Sequence, residues 1–162
     1  MPHSWKFALL AVALVVTASA VPSAKGDEPP ADLCSLLPAA EASKTLGRTY
    51  DAAGKSVAPR PYANTAEGTD CKYKGKGSEL LFRAYADPSA SAAAALFAKL
   101  GKFYSPQTPV PGLGDEAYFD PQHGLHVRKG KVRFFLSLDP MDFTPAVEKQ
   151  LKDLATRVCG QL

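Results

Sequence analysis

Beyond one stretch near its start, the chain has no long hydrophobic run. That stretch, Phe7 to Val16, has ten residues, about half of the roughly 20 that a helix needs to cross a bilayer. No membrane span is therefore expected anywhere. Dense runs of Lys and Arg are also missing. The net charge is +3 and the isoelectric point about 8.7, a mildly basic balance that does not predict nucleic-acid binding. The three cysteines contain no Cys-x-x-Cys pair, so dithiol redox chemistry has no motif. There is no Gly-x-Ser-x-Gly, and past the first twenty residues the only histidines are His123 and His126. Nucleophilic catalysis thus has no visible constellation. No cofactor loop is expected, and no internal repeat is visible.

The start of the chain reads as a targeting segment. Lys6 provides a positive charge, Phe7 to Val16 the apolar region and Ala18-Ser19-Ala20 the small-x-small cleavage signal. This is the pattern of a secretory signal peptide, residues 1–20; an uncleaved anchor is the alternative. No Cys follows the apolar run directly, so a lipid anchor is not expected. Removal of this segment takes away Trp5, the one Trp. Residues 21–31, with Pro22, Pro29 and Pro30 among charged and small residues, read as a flexible leader. With 46% hydrophobic and 22% charged residues in 162, the remainder, 32–162, suits a single domain with a sizeable core. The expectation is a secreted or periplasmic monomer.

The domain is organised around Pro111 to Leu138. Leu125 and Val127 alternate with His126 and Arg128. Val132, Phe134, Leu136 and Leu138 alternate with Lys131, Arg133, Phe135 and Ser137. Period-two alternation marks strands with one buried face, and Lys129-Gly130 between them supplies a tight turn. Asp70 to Lys74 and Glu79 to Tyr85 read as two more strands about a Gly75-Lys76-Gly77 turn. Arg48 to Tyr62, broken by Gly54, Pro59 and Pro61, reads as an irregular strand, followed by a loop through Gly68. Three helices are expected. The first lies within Asp32 to Leu46, with Pro38 opening its main turn and Gly47 stopping it. The second has Asp87 as cap, Pro88 as first residue and Ala93, Leu96, Phe97 and Leu100 inward, and reaches about Phe103. The third is capped by Thr144 and opened by Pro145, with Val147, Leu151, Leu154, Ala155 and Val158 as its apolar stripe. The fold class is α+β: an antiparallel sheet of about five to six strands, with three helices packed mainly on one face.

Cys34-Ser35-Leu36-Leu37 with Glu41 and Leu46-Gly47 resembles the opening of a family of uncharacterised bacterial secreted proteins and lipoproteins. The resemblance continues through Cys71-Lys72-Tyr73, the Pro111 to Tyr118 segment and the Val127 to Gly130 hairpin, and covers about Asp32 to Val158. It departs from the family pattern at Pro38, where a Thr or Ser cap is usual, and in lacking the lipid-anchor Cys. It implies an α+β sandwich, similar to Mog1/PsbP-like folds, and no known activity. An exported protein meets an oxidising compartment, so one disulfide is expected. The resemblance favours Cys34–Cys71, with Cys159 left as a thiol; Cys34–Cys159 is the rival pairing.

Several chemical readings can be weighed on residue type. Asp120, His123 and His126 have the side chains of a zinc or copper site, but on one extended strand an odd separation sends the two histidines to opposite faces. Gly112-Leu113-Gly114-Asp115-Glu116-Ala117 matches a dinucleotide fingerprint in form only, since a Pro-rich loop precedes it, a strand follows and two carboxylates would repel phosphate. As an acid–base pair, Asp115 and Glu116 should diverge as neighbours on a strand. The face away from the helices collects Arg83, Tyr85, Tyr118, His126, Arg128, Arg133 and Phe135. Aromatics mixed with Arg anchor interfaces, so an anionic glycan or a partner protein would suit this face; an ordinary solvated sheet face is the plainer reading. The expected function is a non-catalytic binding or interaction module, using this face or the loops Pro59–Gly68 and Ser105–Gly114. A small secreted hydrolase and a metal-handling exported protein are the alternatives.

Overall fold

The computed structural model describes residues 28–140 and 143–162. The signal-peptide pattern and most of the leader lie outside them. Seven strands form one antiparallel sheet in the order β1-β2-β3-β7-β6-β5-β4. They are β1 (Gly54–Ala58), β2 (Gly68–Gly75), β3 (Ser78–Ala86), β4 (Thr108–Pro109), β5 (Glu116–Phe119), β6 (Leu125–Lys129) and β7 (Val132–Asp139). A 3-10 turn, Leu33–Leu36, precedes helix α1 (Ala39–Leu46); α2 is Ala90–Phe103 and α3 is Pro145–Cys159. The class is α+β as expected, with one strand more than the upper expectation, because β4 adds two residues at the edge beside β5.

The local rules of the sequence explain most boundaries. Gly47 closes α1 in the left-handed conformation, φ 63°, where a residue without Cβ carries no penalty. Thr144 accepts the Val147 N–H and Pro145 opens α3. The β6–β7 turn is two residues, Gly130-Lys131, because Lys129 pairs with Val132; it lies one residue later than Lys129-Gly130, and Gly130 takes the positive φ of 56°. Pro38 stands just before α1, with extended backbone, rather than inside it.

The cap of α2 differs from the expectation. Ser89, not Asp87, accepts the Ala92 N–H, and the helix starts at Ala90 rather than Pro88. Asp87 is instead buried and held by Arg133. Strand register sets Asp87 opposite the buried Arg133 guanidinium, which would be a costly unpaired charge without it.

The main core lies on one face of the sheet. Phe82, Leu80, Leu125, Val127, Phe134 and Leu136 are fully or almost fully buried there against Leu151, Leu154 and Val158 of α3 and against the 3-10 turn. Cys34 and Cys71 form a disulfide that fastens that turn to β2. Tyr73 reaches the same region and donates its hydroxyl to the Leu37 carbonyl. Helix α2 does not join this layer. Its Phe97 packs on Tyr118, ring centroids 5.0 Å apart, so α2 covers the opposite face. Two helices share the core face and the third lies across the face expected to be open. Among the described residues, no helix is long and apolar enough to cross a membrane.

Candidate functional site

Strand register determines which of the expected surface residues meet. Asp70, Arg83, Phe135, His126 and Tyr118 stand opposite one another across β2, β3, β7, β6 and β5. The adjacent row carries Gly68, Tyr85, Arg133, Arg128 and Glu116. Directly paired residues share a face, so all seven expected residues lie on the α2 face of the sheet, in two rows.

They do not form an exposed cationic patch, because each arginine is held by carboxylate. Arg83 donates from Nε and Nη2 to the two oxygens of Asp70, at 2.6 and 2.9 Å. That hydrogen bond holds the guanidinium pKa above its ordinary value, against the opposing effect of burial. Arg133 makes the same two-pronged contact with Asp87, and both residues are buried. Arg128 bridges Glu116 (2.7 Å from Nε) and Asp115 (2.9 Å from Nη1). Asp115 and Glu116 converge on it rather than diverging, since Asp115 precedes β5 in a bend and also accepts the Gly130 N–H. Bidentate Arg–carboxylate pairs are strong and geometrically specific. They fix the guanidinium planes and cancel the charge that would draw a polyanion.

What remains on this face is a cavity of about 240 Å³ between α2, the Pro59–Pro61 segment and the sheet. Phe97, Leu100 and Tyr104 of the helix side, Pro59 and Pro61 of the loop, and Tyr85 and Phe135 of the sheet supply its apolar surface. Arg60, Arg83, His126 and Arg133 supply its polar groups. The loop is tied to both neighbours. Tyr85 donates its hydroxyl to the Pro59 carbonyl at 2.7 Å, and Lys99 of α2 sits 3.7 Å from the centre of the Tyr62 ring. Two glycines make room for the aromatic walls: a Cβ at Gly68 would overlap the Tyr85 ring, and one at Gly124 the Phe135 ring. A broader cleft of about 550 Å³ lies where the Pro-rich loop passes the other side of α2, but fewer aromatic side chains converge on it.

His126 is the hub of the aromatic cluster. Its ring is stacked on Tyr118 at 4.8 Å and lies 4.9 Å from Tyr104 and 4.7 Å from Phe135. Its Nε2 is 2.9 Å from Oδ2 of Asp120. The other Asp120 oxygen accepts the N–H groups of Gln122 and Gly124. Burial raises the Asp120 pKa, but the His126 contact and these two N–H groups outweigh it and hold the carboxyl below its ordinary value. A carboxylate that grips one imidazole nitrogen orients the ring and fixes its tautomer; the second nitrogen belongs to a ring that lines the cavity.

Of the three candidate metal ligands, Asp120 and His126 therefore come together, while His123 does not. Its backbone turns at φ 64° and its ring stacks on Phe143, 4.0 Å away. Among the described residues, no group of three or more His, Cys, Asp and Glu side chains converges as a metal site would. Cys159 is a free, partly buried thiol whose pKa burial pushes up to about 11, so it is protonated and unreactive near neutrality.

No family model, no curated protein and no solved structure matches this chain. Its site rests on its own geometry. Of the seven expected sheet residues, Arg83, Tyr85, His126, Arg133 and Phe135 line the cavity, while Tyr118 and Arg128 lie outside it; the helix side of the cavity was not expected. Phe97, Leu100 and Tyr104 lie at helical spacing, a signal that was present, but apolar spacing alone does not say which face of a sheet a helix covers. Asp70 and Asp87, the carboxylates that neutralise Arg83 and Arg133, carried no local sign, because strand register across β2–β3 and β3–β7 brings them into place.

Proposed function

We propose that the protein is a non-catalytic binding module, exported to the cell envelope or the extracellular space, which holds a small molecule in the cavity beneath α2. The observation that carries this reading is the cavity's construction. Three separate parts of the chain close around it, its walls are aromatic, and its two sheet arginines, Arg83 and Arg133, are each fixed by a carboxylate before any ligand arrives. Preorganised concave sites with apolar walls and a few placed polar groups are how proteins hold small molecules. The signal-peptide pattern and the Cys34–Cys71 disulfide support export, as does the resemblance to secreted bacterial proteins.

Filling the cavity tests the reading. Leu100 lies on α2 and is only half-buried, so Leu100→Trp should place an indole in the space without breaking the main core. In a thermal-shift screen of fragment-sized compounds, the native protein should be stabilised by a subset that leaves Leu100→Trp unaffected. Equal stabilisation of both proteins would place binding elsewhere.

A second reading, a small enzyme using His126 as a base, is favoured by the Asp120 contact. Among the described residues, the cavity lining contains no Ser, Thr or Cys to act as nucleophile, so such an enzyme would activate water. Ligand recovered chemically unchanged after long incubation supports the binding reading; conversion that stops in His126→Gln supports the enzyme.

A further inference from the structure

The polar groups of the cavity are unbalanced in kind. Arg60, Arg83 and Arg133 line it, and among the described residues no carboxylate does. Asp70 and Asp87, the partners of Arg83 and Arg133, are buried, while Arg60 pairs with the exposed Glu67 at the surface. Arg133 is 3% exposed and commits Nε and Nη2 to Asp87, while its Nη1 makes no hydrogen bond to any described residue. Arg83 does the same with Asp70. Its side chain is 27% exposed and that of Asp70 only 7%, so the guanidinium, not the acid, meets the cavity. A guanidinium has five N–H donors in a fixed fork and no acceptor. Two such groups on neighbouring rows of one face leave the site rich in donors, and burial of a donor without a partner is costly.

The occupant should therefore bring acceptors. It should carry only a small charge, because each guanidinium is already matched by an acid and a multiply charged anion would meet no net positive field. It should be flat and apolar elsewhere, because Tyr85, Tyr104, Phe97 and Phe135 wall the space and Arg133 itself lies over the Tyr85 ring, 4.8 Å from its centre. At about 240 Å³ the space is smaller than a drug-sized site. We infer that the cavity takes a small aromatic or similarly planar monocarboxylate, its carboxylate on the free Nη1 groups of Arg83 and Arg133 and its ring between the aromatic walls. This rests on the cavity being the binding site.

The test uses benzoate, its uncharged isostere benzamide and inorganic phosphate as probes, titrated into the full chain by calorimetry and by NMR of the aromatic side chains. Benzoate should bind one per chain, shift the His126 and Tyr104 signals, and lose binding in Leu100→Trp. Benzamide should bind roughly tenfold more weakly, the loss of about one charge-assisted contact, and phosphate should not compete. Arg83→Lys and Arg133→Lys keep a cation beside Asp70 and Asp87 but have no second edge to offer. Each should weaken benzoate by about tenfold and benzamide by clearly less, and retained benzamide binding shows that the cavity is still folded. If benzamide binds as well as benzoate and both are blocked by Leu100→Trp, the carboxylate inference fails and the cavity reading stands. If neither probe binds, the inference fails and the fragment screen against Leu100→Trp decides the cavity reading; if Leu100→Trp binds both, the inference fails together with its premise. Displacement of benzoate by phosphate would also overturn it, in favour of a general anion site.

Discussion

Tyr118 sits between Phe97 and His126, is 4% exposed, and has a hydroxyl with no partner among the described residues. Burial pushes its pKa up, so the group stays a neutral phenol. A buried hydroxyl without a partner costs free energy that its ring contacts must offset. Tyr118→Phe keeps the ring and removes the orphan, so it should raise stability by about 1 kcal/mol, read as a higher urea midpoint with unchanged slope. A loss of stability would mean that the hydroxyl is bonded in solution. Neither this orphan nor the Asp87–Arg133 pair is written locally in the chain. Asp87 followed by Pro88 looks like a helix start. Only the position of Arg133, 46 residues away, shows that its carboxylate is needed in the interior.

At the scale of elements, the disulfide has the clearest consequence. Cys34 belongs to the 3-10 turn and Cys71 to β2, 37 residues apart. Joining them restricts the unfolded chain, which for a loop of that length stabilises the fold by about 4 kcal/mol in the chain-entropy model. The paired replacement Cys34→Ala with Cys71→Ala should lose stability of that order in urea unfolding. A loss well under half of this would mean that the turn already holds its place through Leu36, Leu37 and the Tyr73 hydrogen bond. Helix α2 is held differently. It meets the sheet through a few aromatic side chains and a loop tied by single contacts, while α3 inserts a full apolar stripe into the main core. The sequence shows both as amphipathic helices, and nothing in their spacing distinguishes the core layer from the layer over the cavity.

For the whole molecule, acid is the condition that tests the paired carboxylates. Asp120 and Asp115 both titrate below the ordinary carboxyl value of 3.8 in the folded state. Burial opposes this in each, and it is outweighed for Asp120 by His126 and backbone N–H groups and for Asp115 by Gly130 and Lys129. A carboxyl whose folded pKa is lowered contributes stability that is present above its unfolded pKa and disappears as pH falls through the folded one. Stability should therefore be flat near neutrality, begin to fall near the ordinary carboxyl value and keep falling below it. In Asp120→Asn, which cannot titrate, the fall should be shallower; an identical profile would show that Asp120 is not among the groups responsible. Much of the architecture was settled by the sequence alone. Alternating residues from Leu125 to Leu138, the glycine turns, the Thr144-Pro145 helix start and the α+β class follow from short-range rules that each segment carries by itself. The choice of face for α2, the pairing of every sheet arginine with a carboxylate, the separation of His123 from His126 and the closing of a cavity under Pro59–Pro61 were decided only by the tertiary structure. They depend on register and on which distant surfaces meet when the chain is compact, and no window of local sequence contains that information.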